Sequence, residues 1–412
     1  MKLQPVTCRC NELDVRLGRN YCPVHFRQEI SFKVKQSLNR QEFTGSSPAP
    51  FIGRYGYPNI NVGVLSPAGQ ADNVWEFDAP KFWAEHEYQI PRIVEFRSSL
   101  INSRLKADAR QPMSRLIEAS QAAGMADRPV HIDVQLEKLP VFSAHFDSYA
   151  APMGPYANLR SIRLTSNPHI PAKVEKVVSD KDLLAGEAVN YLSGKGFDEN
   201  FLSRLLSVGG IGLGKNRKLV PTRWSITATD DIIAKKIIDS IKHNNELGYT
   251  AYYDGYLGNY FLVLAFPGSW SFELMETWAP DTPMPEHEVP DFMTDWEPFE
   301  GRKSYAENCG GGYYAARLAV LEYLKRFKRQ ASVLVIRFVT SEYTTPLGVW
   351  VVREAARKAL RSKPLEFGSK ELLLNYAKIF ARKKFGYTLQ HLLFRSQILR
   401  DTAKQARLTQ FA

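Results

Sequence analysis

The chain has 412 residues, 44% of them hydrophobic and 24% charged, the balance of an ordinary globular protein long enough to bury cores in two or more domains. No apolar run approaches the ~20 residues of a membrane span, and the opening "MKLQPVTCRC" carries no apolar signal region, so the expected location is the cytoplasm. The net charge of +11 is polarised: from Gly301 onward there are 22 Lys+Arg against 7 Asp+Glu, which leaves −4 for residues 1–300.

In chain order, the first feature is "CRCNELDVRLGRNYCPVH". Cys8, Cys10, Cys22 and His25 form the ligand set of a tetrahedral zinc site, with Pro23 tightening the turn between the last two. Four protein ligands leave no place for water, so the metal (Zn2+) is expected to be structural, holding a knuckle over residues 1–30. The alternative is three unligated thiols acting as small hydrophobes. The clustering is unlike the dispersed spacing of a secreted disulfide framework.

Residues 31–300 read as a mixed α/β core. "SSPAPFIGRYGYPNINVGVLSPAG" predicts strands and tight turns. Arg54 could meet a phosphate there and Tyr55 and Tyr57 could stack on a base, although the tyrosines suit core packing equally. Residues 91–124 predict a helix pair broken at Pro112, and "PVHIDVQLEKL" a strand by its period of two. His145 and Asp147 lie in the loop that follows. "LRSIRLTS" and "AKVEKVVS" predict strands, and "DKDLLAGEAVNYLSGKG" and "DENFLSRLLSVGG" helices.

Gly209 to Lys215 satisfies the phosphate-cradling pattern G-x-x-x-x-G-K, but Asn216 stands where a magnesium-binding Ser or Thr belongs. The segment also follows a helical stretch and runs into "RKLVPTRWSITATDD", which looks extended. A basic loop of Lys215, Arg217, Lys218 and Arg223 touching a nucleic-acid backbone fits better than nucleotide hydrolysis.

An amphipathic helix, "TDDIIAKKIIDSIKHN", and a hairpin, "TAYYDGYLGNYFLVLAFPG", lead to an acidic stretch over 273–300. Between His243 and Gly301 there is no lysine or arginine. Glu273 and Glu276, three apart, would share a face if helical, as acid/base or metal-binding carboxylates do, but a solvated acidic face explains them more simply. With Arg54, Tyr57 and Asp147, Glu273 completes the set of candidate catalytic residues.

Residues 301–404 form a basic module. Glycines 310–312 precede a helix and suit either a close anion or a neighbouring strand, and Cys309 beside them is expected to be buried. A buried strand, "ASVLVIRFVTSEY", precedes a helix containing "PLGVWVVREAARKALRS" and two basic amphipathic helices, with Arg382, Lys383 and Lys384 the densest positive cluster. In the final eight residues Gln405, Leu408 and Phe411 recur at the period of a 3₁₀ turn, a narrow apolar plug suited to docking. The fold class is therefore α/β in the mixed α+β sense: mixed sheets with packed helices, a small N-terminal zinc knuckle and a basic helical C-terminal region.

The cysteine-rich start, "FIGRYGYPNINVG", "VPTRWSITATDD", "PGSWSFELMETW", "CGGGYYAARLAVLEYL" and "TPLGVWVVREA" together resemble the archaeal Nre DNA repair proteins over nearly the whole chain. The resemblance implies a role in the DNA damage response, near the nucleoid, with the sliding clamp PCNA and DNA as partners and no membrane. It identifies 405–412 as a PCNA-interacting tail, in which Gln405 hydrogen-bonds beside a pocket filled by Leu408 and Phe411, while Ala412 stands where a second aromatic is usual. It assigns chemistry to no residue. A nuclease- or transferase-type enzyme and a non-catalytic adaptor therefore stand beside the first expectation, a clamp-tethered repair factor holding DNA on its basic module.

Overall fold

The structure, a computed structural model, describes residues 41–67, 71–111, 115–141, 152–280, 282 and 291–404. The chain divides into two compact units, residues 1–225 with 344–346, and residues 226–343 with 347–412.

In unit 1, strands β1 (Glu42–Ser47), β2 (Ala49–Ile52), β3 (Asn59–Pro67), β4 (Leu100–Asp108), β5 (Val130–Leu136) and β6 (Tyr156–Leu164) form one sheet in the order β1-β5-β6-β4-β3-β2. Neighbours are antiparallel except β4 and β6. Helices α1 (Pro80–Glu85), α2 (Ile90–Ser99), α3 (Arg115–Met125), α4 (Ala172–Ser179), α5 (Ala185–Ser193) and α6 (Glu199–Ser207) belong to this unit. Ala119, Ala122 and Ala123 of α3 are buried with Val64, Ile132, Val134 and Leu159 of the sheet. Their small side chains bring the helix axis close to the strands.

Helix α7 (Thr222–Ile241) leads into unit 2. There β7 (Thr250–Tyr256), β8 (Asn259–Phe266), β9 (Ser271–Trp278), β10 (Phe292–Glu297), β11 (Ser332–Val339) and β12 (Leu365–Glu366) form a mixed sheet in the order β10-β9-β11-β8-β7-β12. Strands β9 and β11 are parallel, and helix α8 (Gly311–Arg326) lies between them in the chain, as a crossover requires. Strand alternation splits the side chains of β9 between two layers. Met275 is buried against a cluster that includes Leu334, Ile336 and Phe338 and residues of helices α10 (Lys370–Phe385), α11 (Gln390–Arg395) and α12 (Gln397–Lys404). On the opposite face Phe272 meets Tyr313 of α8, with ring centroids 5.2 Å apart, and helix α9 (Val349–Arg361) packs on α8.

The hairpin, the buried strand, the helix before Arg326 and the basic helices occur where the patterning places them. Three segments differ. Residues 91–124 contain α2 and α3, but β4 separates them, because Leu100–Asp108 finds a nine-residue antiparallel partner in β3. "AKVEKVVS" is helix α4, with Val174 and Val177 buried at a spacing of three. The segment after Pro221 is not extended, since α7 begins at Thr222 and Trp224 and Ser225 donate their first-turn N–H groups to the Pro221 carbonyl.

Candidate nucleic-acid interface

The two glutamates of the acidic stretch lie on strand β9, not on a helix, and their odd spacing sends them to opposite faces of the sheet. Neither is solvated. Glu273, 1% exposed, accepts hydrogen bonds from the Ser396 hydroxyl (2.7 Å) and from the N–H groups of Gln397 (3.0 Å) and Ile398 (3.1 Å). Ser396 in turn accepts from the Leu399 N–H at 3.2 Å, so the first three N–H groups of α12 all have acceptors. Burial pushes the Glu273 carboxyl above the usual carboxylate range, and these donors pull it part of the way back. Glu273 thus caps a helix.

On the other face Glu276 pairs with Arg337, which also donates to the Asn259 side chain at 3.1 Å. A Cβ on Gly312 would lie 3.1 Å from the Glu276 carboxylate. The anion near this helix start is therefore the chain's own, and it sits on a neighbouring strand. Cys309 is buried; desolvation, then the charges of Glu276 and Asp295, push its thiol far up, so it stays protonated and unreactive. Glu297, on β10, pairs with Arg317 of α8 at 2.7 Å, and Asp295 with Arg302 at 3.2 Å. Much of the sequence polarity around residue 300 therefore closes into ion pairs inside unit 2.

The glycine-rich segment does not cradle a phosphate in strand-to-helix fashion: Gly209 (φ +69°) ends the turn after α6, and residues 214–216 form a single 3₁₀ turn. Arg217 is engaged within unit 1, donating to the carbonyls of Gly212 (2.8 Å), Val178 (2.6 Å) and Asp180 (2.7 Å). Partial burial lowers its pKa from the ordinary arginine value. Lys215, Lys218 and Arg223 are exposed.

Arg54, Tyr55 and Tyr57 occupy the tip of the β2–β3 hairpin. The tyrosines are not core residues: Tyr55 is 75% exposed and Tyr57 37%. The Arg54 guanidinium lies 4.7 Å from the centroid of the Tyr55 ring. Tyr57 faces Trp224, with ring centroids 5.3 Å apart. Trp224 had no signal in the sequence, because its partner is remote in the chain and only tertiary structure joins them. In unit 2, Arg382, Lys383 and Lys384 are exposed on the last turn of α10, where they also complement the negative end of the helix dipole.

Asp147, the ligand set Cys8, Cys10, Cys22 and His25, and the segment Gln405, Leu408, Phe411 and Ala412 lie outside the described residues. Among the described residues no cluster of three or more His, Cys, Asp or Glu could hold a metal ion, and no helix is long and apolar enough to cross a membrane. Two clefts of unit 1, of about 470 and 280 Å³, are lined by none of the described candidates Arg54, Tyr57 and Glu273.

Comparison with known proteins adds the family context. Residues 17–284 match the model "Archaeal Nre, N-terminal", and residues 297–411 match "Archaeal Nre, C-terminal". The chain is 37% identical over 360 residues to DNA repair protein NreB of Archaeoglobus fulgidus, covering 87% of this chain and 89% of the relative. It is 38% identical over 371 residues to DNA repair protein NreA of the same organism, covering 88% and 91%. To DNA repair protein NreA of Haloferax volcanii it is 37% identical over 329 residues, covering 78% of each chain. No solved structure matches.

Proposed function

This chain belongs to the archaeal Nre family of DNA repair proteins, and on that premise we propose that it holds DNA on a basic surface while residues 405–412 tether it to the sliding clamp PCNA. The observation that carries the tether is the spacing of Gln405, Leu408 and Phe411, directly after helix α12. A 3₁₀ turn would eclipse the leucine and the ring on one face, a short form of helix-in-groove docking. With Ala412 in place of a second aromatic, less apolar area is buried and the affinity is modest. Arg382, Lys383 and Lys384 supply the DNA-binding charge, and tethering raises the local concentration of this binder.

Phe411→Ala is expected to abolish co-elution with PCNA in gel filtration, and unchanged co-elution refutes the tether. The reading includes a structural zinc at Cys8, Cys10, Cys22 and His25. Elemental analysis should find stoichiometric zinc in the parent protein and a large loss in Cys22→Ser, whereas a zinc-free parent removes the site. A nuclease or transferase reading finds no support at Glu273, whose carboxylate is buried and hydrogen-bonded to the start of α12 inside unit 2.

A further inference from the structure

Contiguous exposed apolar surface marks sites of interaction, and at the hairpin tip of unit 1 two exposed rings face each other, with a third on the same turn. Tyr57 meets Trp224, which is 47% exposed, and Tyr55 follows Arg54 on the same turn. The base beneath them is rigid. The Ile52 N–H donates to the Thr222 hydroxyl (3.2 Å), the Ala109 N–H to the Pro58 carbonyl (2.8 Å), and the Leu219 N–H to the Ala109 carbonyl (2.8 Å). Ile52, Ile60, Ala109 and Leu219 are buried together in one apolar cluster. The rings therefore project from fixed backbone and are not free to fold back into a core.

Cations lie on the same segments of unit 1. Arg110 lies close enough to Tyr57 to interact with it electrostatically, and Lys218 and Arg223 are exposed on the segment that leads into Trp224. Arg110 is paired with Asp108, but among the described residues no carboxylate neutralises Arg54, Lys218 or Arg223. A duplex presents its bases edge-on and buried, so flat rings cannot stack on them. A single strand offers base faces to the rings and phosphates to the cations. We propose that Tyr55, Tyr57 and Trp224, with Arg54, Lys218 and Arg223, form a stacking platform for unpaired nucleotides of single-stranded DNA. The inference rests on the reading of the chain as a DNA-binding repair protein, but not on the basic cluster of α10.

The test uses the full chain and a fluorescent oligothymidylate of about 12 nucleotides, read by anisotropy beside a duplex of equal length. Tyr57→Ala/Trp224→Ala is expected to weaken single-strand binding by about tenfold to a hundredfold and duplex binding by less than about threefold, while Trp224→Phe, which keeps a ring, stays near the parent. Arg382→Glu/Lys383→Glu/Lys384→Glu serves as the comparison, with duplex binding as the property it should lose. If that variant binds duplex normally, the reading of α10 fails and the platform stands. If the double alanine variant binds single strands like the parent, or loses both ligands equally, the platform is wrong. Photocrosslinking of the unaltered protein to an iodouridine oligonucleotide is independent of any folding defect: adducts at Tyr55, Tyr57 or Trp224 support the platform, and adducts confined elsewhere overturn it.

Discussion

An Arg317→Met variant is expected to lose about 3–5 kcal/mol of unfolding free energy, because removing one member of a buried ion pair strands the other. Arg317 is 1% exposed and Glu297 is fully buried. The guanidinium donates to Glu297 and to Asp231, and the Trp270 indole N–H donates to the remaining Glu297 oxygen at 3.2 Å. Methionine fills much of the volume but supplies no donor, so the buried carboxylate would lose its charged partner and keep only neutral neighbours such as the Trp270 indole and the Tyr313 hydroxyl. Asp231 retains Lys235 at 2.7 Å and sits nearer solvent, so the cost falls on Glu297. Adding Glu297→Gln removes the stranded charge, keeps an acceptor for the indole, and should recover most of the loss. Urea unfolding followed by tryptophan fluorescence measures both variants. A single-variant loss below about 1 kcal/mol would mean that the pair behaves like a surface salt bridge and does not hold α8 to β10.

The second large effect is expected at Glu273. Glu273→Ala leaves the Ser396 hydroxyl and two N–H groups at the start of α12 without their acceptor, at a cost of about 2–4 kcal/mol. The loss should be local first. Amide exchange over residues 397–404 should accelerate while β9 and β11 stay protected, and the Lys370 ammonium, bonded to the Thr402 hydroxyl at 2.7 Å, is left as the main polar tie to α12. The pH dependence has a definite sign. Burial raises the folded-state pKa of this carboxyl, so its protonated form is favoured by folding; that contribution is complete below the ordinary carboxylate range and is lost as pH rises through the raised value. The advantage of the parent over Glu273→Ala should therefore be larger near pH 4 than near pH 8. An advantage that grows with pH would show that the donors outweigh burial, and that Glu273 titrates below the ordinary range.

Residue 273 also illustrates how much of the molecule was legible beforehand. Its acidity was plain, and the strand through it was not, because "SWSFELMETW" mixes apolar and acidic residues without clean alternation. The glutamates interrupt the pattern because each answers a partner far along the chain: Ser396 and the start of α12 for Glu273, Arg337 for Glu276. Cys309 was legible as a buried thiol because no base adjoins it in the sequence. Glycines 310–312 were legible as a close approach to an anion or a strand, but that Glu276 on β9 is both at once was not. Tyr55 and Tyr57 were visible as a loop pair, whereas Trp224 was hidden inside a helix start.

The amino-acid order alone determined the family, the mixed α/β composition, most helices and strands, and the charge polarity, because these depend on residue type at short spacing. Tertiary structure decided which charges face solvent and which rings stand together. Ion pairing and stacking act over a few ångströms of space, and the chain brings those atoms together only after the sheets have closed the distance along the sequence.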